Sequence, residues 1–136
     1  MDFKIKIQDL NEFTRALKKL DSDLPKMVRV ANNHAADLLI SKAKPLMPSR
    51  SGAARNSLVA RSTRGSARIS AGGPKAPYYP WLDFGGRTGK KKSVVRPFYS
   101  EGRYIYPTLR KYSEEIAQAQ YDSLAAVARQ AGLDVE

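Results

Sequence analysis

Residues 76–110 read APYYPWLDFGGRTGKKKSVVRPFYSEGRYIYPTLR, and eight of the chain's twelve aromatic residues fall within them. Pro77, Pro80, Pro97 and Pro107 interrupt the stretch, as do Gly85-Gly86 and a basic run at Lys90, Lys91 and Lys92. A long helix or central strand does not tolerate that punctuation. The segment therefore predicts a loop-rich unit displayed on a scaffold built by its neighbours. Residues 78–84 suit a short helix or an irregular turn, Gly85-Gly86 a sharp reversal, and residues 86–93 a mobile basic loop. Val94-Val95 opens a last short strand that Pro97 stops. Aromatics mixed with Pro, Gly and Arg suit an interaction surface. Tyr78, Tyr79, Trp81, Phe84, Tyr104 and Tyr106 are the candidate contact residues. Trp81, Leu82 and Phe84 fit a small core equally well.

Upstream, the pattern turns regular. Phe3, Ile5 and Ile7 alternate with Lys4 and Lys6, which predicts a strand with one buried face. Asp9 and Glu12 have the spacing of a capping box before a helix over residues 10–20, with Leu10, Phe13, Leu17 and Leu20 as its stripe. Residues 24–43 predict a longer helix with Pro25 in its first turn. Its stripe is Leu24, Val28, Ala31, Ala35 and Leu38, widened by Leu39 and Ala43, and Pro45 and Pro48 end it. Residues 53–57 suit one helical turn. Residues 58–63 and 67–72 predict a hairpin through Arg64-Gly65-Ser66, which carries Arg61, Arg64 and Arg68. Downstream, Pro107 starts a final helix to about Ala131, closed by Gly132. Leu109, Tyr112, Ile116, Ala119 and Ser123 form one side of it; Ala117, Tyr121, Leu124 and Ala128 form another. One side packs on the long helix and the other meets a neighbour. The fold class is a single α+β domain spanning residues 1–136, a hairpin-bearing sheet packed against two long helices.

The net charge of +11 is uneven. Residues 41–111 hold sixteen Lys or Arg against two Asp or Glu, whereas residues 112–136 hold one against five. A block so basic faces nucleic acid or an acidic partner subunit. Arg61, Arg64, Arg68, Arg87, Lys90, Lys91 and Lys92 are its candidate contacts. Interleaved with aromatics, they also fit a free-standing nucleic-acid-binding protein. No apolar run approaches the roughly 18 residues that cross a membrane, and the N-terminus does not read as a signal peptide, so a cytoplasmic origin is expected.

The chain has no cysteine and one histidine, His34. That removes disulfides, thiolate nucleophiles and histidine-rich metal sites. Asp83 and Glu101, the acids of the basic block, lie on either side of a flexible loop and read better as partners of arginines than as an acid–base pair. Gly85 to Lys91 lacks the spacing and the Ser or Thr of a phosphate-binding loop. No enzymatic activity, cofactor or metal is expected.

Three pieces together carry a resemblance. Pro48 is followed by Ser51-Gly52, Ala54-Arg55 and Ser57. After the hairpin comes Tyr78-Tyr79-Pro80-Trp81-Leu82-Asp83-Phe84-Gly85, with Asp83 where Glu is commoner. A basic loop then leads to Arg103-Tyr104-Ile105-Tyr106-Pro107-Thr108-Leu109 at the start of the last helix, with Pro97-Phe98-Tyr99 as a second alignment of that piece. In this order and spacing the chain resembles the HK97 gp10-like phage tail-component proteins over residues 24–130. The resemblance implies a tail-completion or head-to-tail connector protein and a homo-oligomeric ring, hexameric in number. It implies a place at the head-proximal end of a siphophage tail. The expected partners are tail terminator, tail tube and head connector proteins. DNA passing through the ring would be touched without sequence preference.

Overall fold

The computed structural model describes residues 2–5, 14–15, 18–19, 24–48 and 52–133. Its organising element is α1 (Leu24–Ala43). Pro25 sits in the first turn, where a missing N–H is harmless. Leu24, Val28, Ala31, Ala35 and Leu39 are buried along one stripe, and Asn32, Ala36, Ile40 and Ala43 broaden it. Leu38, expected inside, is only partly buried, and Leu39 takes its place. A 3-10 turn over Lys44–Leu46 ends the helix at Pro45, and Met47 is extended ahead of Pro48 (φ −87°, ψ 146°), as a residue before proline must be.

The broad face of α1 receives a three-stranded antiparallel sheet of β1 (Asp2–Ile5), β2 (Val59–Ala60) and β3 (Ala67–Ser70), in the order β1-β3-β2. Ala67 and Ile69 of β3 point to the core, while Arg68 and Ser70 do not. β2 is much shorter than the strand expected over residues 58–63. At Ser62 the ladder gives way to side chains: Ser62 N–H donates to Asn33 Oδ1 (3.0 Å), and Ser62 Oγ accepts from Arg68 N–H (3.1 Å). The β2–β3 turn closes through Thr63 N–H on the Ser66 carbonyl (3.0 Å). Between Met47 and β2, α2 (Ala53–Asn56) supplies the expected helical turn. Thr14, Arg15, Lys18 and Lys19 are helical, but the stripe of the helix expected over residues 10–20, its capping box, and Lys6 and Ile7 lie outside the described residues.

The expected last helix is two helices, α4 (Ile105–Lys111) and α5 (Ser113–Gln130), which break at Tyr112 (φ −112°, ψ 21°). Pro107 stands in the first turn of α4, but two residues inside its start. Gly132 ends α5 as expected. It adopts φ +81°, its N–H bonds the Arg129 carbonyl (3.0 Å), and Leu133 N–H bonds the Ala128 carbonyl (2.9 Å). These two bonds are a Schellman motif.

α5 runs antiparallel to α1. Lys42 pairs with Glu115 at one end (3.6 Å), while Leu24, Val28 and Ala31 meet Leu124 and Val127 at the other. Between them lies a buried polar link. Gln120 Nε2 donates to Asn32 Oδ1 (2.9 Å), and Asn32 Nδ2 donates to the Thr63 carbonyl (2.9 Å). Helix, helix and sheet turn are thereby held in one register. The Gln120 Oε1 atom is left without a hydrogen-bond partner among the described residues, but the Nε2–Asn32 bond forms in only one alignment of the two helices.

Candidate interaction surface

α3 (Tyr79–Phe84) opens the aromatic segment. Its centre is Asp83, which is fully buried. The Asp83 carboxylate accepts from Arg103 N–H (2.6 Å) and Tyr104 N–H (3.0 Å) on one oxygen, and from Tyr79 O–H (3.0 Å) on the other. The expectation that Asp83 neutralises an arginine side chain is corrected here. The Arg103 guanidinium instead donates to the backbone carbonyls of Asp83 and Pro97. Glu101 does pair with an arginine, Arg110. A side chain at Gly102 would place its Cβ 2.5 Å from Asp83 Oδ1, so glycine there (φ +77°) is what lets the carboxylate reach the amides. Burial, and then the adjacent Asp83 carboxylate, raises the Tyr79 phenol far above its usual pKa and keeps it a donor.

Tyr79 and Tyr104 are thus core residues of this chain and not surface contacts. Both are buried because their polar ends find internal partners: Tyr79 on Asp83, and Tyr104 O–H as acceptor for Arg96 (3.1 Å). Trp81 and Phe84 are half-buried against the main cluster. Trp81 Nε1 donates to the Gly86 carbonyl (3.2 Å), and the Arg96 guanidinium covers its ring at 5.6 Å. Of the six expected contact residues, Tyr78 and Tyr106 remain exposed, with Tyr106 tilted against Phe84.

The short strand expected at Val94-Val95 forms as β5 (Val94–Arg96), but the basic loop expected before it is ordered: β4 (Gly86–Thr88) pairs with β5 as a hairpin, with a 3-10 turn at Lys90–Lys92 between them. Its base is fixed. Gly85 (φ +87°) lies so close to Pro97 that an added Cβ would meet its carbonyl oxygen. Arg96 Nε donates to the Leu82 carbonyl (3.0 Å), and Tyr99 N–H donates to the Phe84 carbonyl (2.8 Å). Beyond that base β5 exposes Val94 (47%) and Val95 (60%), and at the base, just past Pro97, Phe98 (69%) and Tyr99 (52%) are exposed as well. Sequence reading missed these residues as contacts. The available signal was an apolar run, Val94-Val95, joined by Arg96-Pro97 to Phe98-Tyr99.

The basic candidates fall on two separate hairpins. Arg87, Lys90, Lys91 and Lys92 are exposed on β4–β5; Lys91 and Lys92 hold left-handed backbone (φ 56° and 55°). On the three-stranded sheet, Arg61 N–H bonds the Arg68 carbonyl (2.9 Å) and Lys4 is the register partner of Arg68 on the other side, so three basic positions stand in one cross-strand row. Arg64 occupies the adjoining turn.

An open groove of about 560 Å³ lies along the α1–α5 seam, lined by Met27, Val30, Ala126 and Val127 with His34 and Asp122 at its rim. There His34 Nδ1 contacts Ser123 Oγ (3.3 Å). Among the described residues no carboxylate orients that imidazole, so the pair lacks the third member of a nucleophile-activating array. No cluster of metal-ligating side chains occurs among the described residues, and no described helix is long and apolar enough to cross a membrane. No family model, curated protein or solved structure matches the chain.

Proposed function

We propose that this chain is a non-enzymatic structural protein of a phage virion. It is one subunit of a ring at the head-proximal end of the tail that completes the tail and helps to join it to the head connector. The observation that carries this reading is the β4–β5 hairpin: an apolar, basic-tipped arm on a rigid base. Apolar surface held this way calls for a protein partner. A closed ring is built head to tail and supplies one from its own copies. The motif resemblance over residues 24–130 supports the same reading and suggests six copies, with tail terminator, tail tube and head connector proteins as neighbours. The basic positions Arg61, Arg64 and Arg68 on the β2–β3 hairpin suit weak, sequence-blind contact with passing DNA. They also favour the second reading, a free-standing basic nucleic-acid-binding protein.

The test is the position of the protein in particles. Gold-labelled antibody against a tagged chain should decorate the head–tail junction of intact virions. Label absent from virions, with the protein recovered on host nucleic acid, supports the second reading and ends the first.

A further inference from the structure

Resting on the ring reading, we infer that the β4–β5 arm docks on the exposed face of α5 in the next copy of the chain. Three observations meet here. The arm tip is strained and like-charged: Lys91 and Lys92 hold left-handed backbone within three consecutive lysines, with Arg87 on the adjoining strand. Non-glycine residues adopt that backbone at a cost, and neighbouring ammoniums repel. An anionic surface offsets the repulsion. The arm is also apolar, through Val94 and Val95. Phosphate and sugar make poor cover for aliphatic side chains, so the anion belongs to a protein. The third observation is the outer face of α5. Glu114, Gln118 and Asp122 follow one another at four-residue intervals and are exposed, with Gln118 Nε2 donating to Asp122 Oδ1 (2.8 Å); Glu115, alongside, is exposed but pairs with Lys42 of its own chain. Four-residue spacing puts them on one side of the helix. The aliphatic stem of Gln118 gives that face something for valines to pack on.

Arm and helix face are different surfaces with opposite charge. Such a pair propagates head to tail, which a closed ring requires. Opposed potentials also fix which surfaces meet and discourage arm-to-arm contact.

The test uses two charge-reversed variants of the full chain. One carries K90E, K91E and K92E; the other carries E114K and D122K. Self-association is read by sedimentation velocity. Each variant alone should associate on the order of a hundredfold more weakly than the original chain, and an equimolar mixture should recover association. All five positions are exposed, and Trp81 fluorescence checks that the fold survives. A second measurement uses the chain's lack of cysteine: V95C with Q118C should form a disulfide between copies under mild oxidation, faster than either single variant. If the original chain associates but reversal has no effect, or the mixture stays weak, the pairing is wrong and the ring reading stands. A chain monomeric at its highest soluble concentration overturns the pairing, and label absent from the head–tail junction overturns the ring. Unchanged self-association with loss of duplex DNA binding in the lysine variant assigns the arm to phosphates and also overturns the pairing.

Discussion

Replacing Asp83 by alanine removes the acceptor for three donors at once: the amides of Arg103 and Tyr104 and the phenol of Tyr79. The site is sealed, so water does not replace the lost oxygens. A buried donor stripped of its partner costs about 1–3 kcal/mol. Relief from burying a carboxylate works in the other direction. The net expectation for Asp83→Ala is a loss of roughly 3–5 kcal/mol, a large share of the stability of a domain this size. The thermal midpoint should fall by roughly 10 °C or more. Guanidinium unfolding followed by Trp81 fluorescence is a suitable assay, because the only tryptophan sits beside the hairpin that this network supports. Asp83→Asn separates acceptor from charge. Its carbonyl oxygen still serves both amides, and the Tyr79 hydroxyl turns to accept from the new NH2 group. That variant should lose only about 1 kcal/mol. A loss below about 1 kcal/mol for alanine, or an equal loss for the two variants, refutes the account of Asp83 as an amide-capping acceptor.

Gly85→Ala should destabilise by about 3 kcal/mol or more and displace the β4–β5 hairpin, because the new methyl meets Pro97 backbone that cannot swing aside; loss of protection in the amides of residues 94–96 by hydrogen exchange reads the displacement. Asn32→Ala should cost about 1–3 kcal/mol by stranding the buried Gln120 amide group. Adding Gln120→Leu should recover part of that loss in a double-mutant cycle. Stability should also fall at alkaline pH. The folded Tyr79 keeps its proton while the unfolded phenol releases one near pH 10, so the contribution is complete below about pH 10 and declines above it by up to about 1.4 kcal/mol per pH unit. Urea unfolding from pH 9 to 11 should show a shallower decline in Tyr79→Phe.

The parts of the fold legible in the sequence are those where burial imprints a period. The stripe of α1 and the Gly132 stop of α5 could be read directly, because a helix between solvent and core must repeat every three to four residues. The β4–β5 hairpin leaves no such mark. β5 itself was legible at Val94-Val95, but β4 was not: the hairpin is a two-stranded ribbon of three-residue strands, and among the described residues no layer covers Val94 and Val95 to impose alternation on them. Gln120 was missed for a different reason. Its buried amide donates to Asn32, 88 positions away, and no local pattern carries that pairing. The candidate surface was legible as a region but not residue by residue. Tyrosine enrichment marked residues 76–110, yet whether each ring faces in or out depends on where Asp83 and Arg96 put their hydrogen bonds.

The head–tail role is tested most directly by electron microscopy of lysates from a phage whose copy of this gene carries an early stop codon. A tail-completion role predicts DNA-filled heads beside unjoined tails, or beside tails of defective length, with infectivity restored when the protein is supplied in trans. Normal infectious particles in normal yield contradict it.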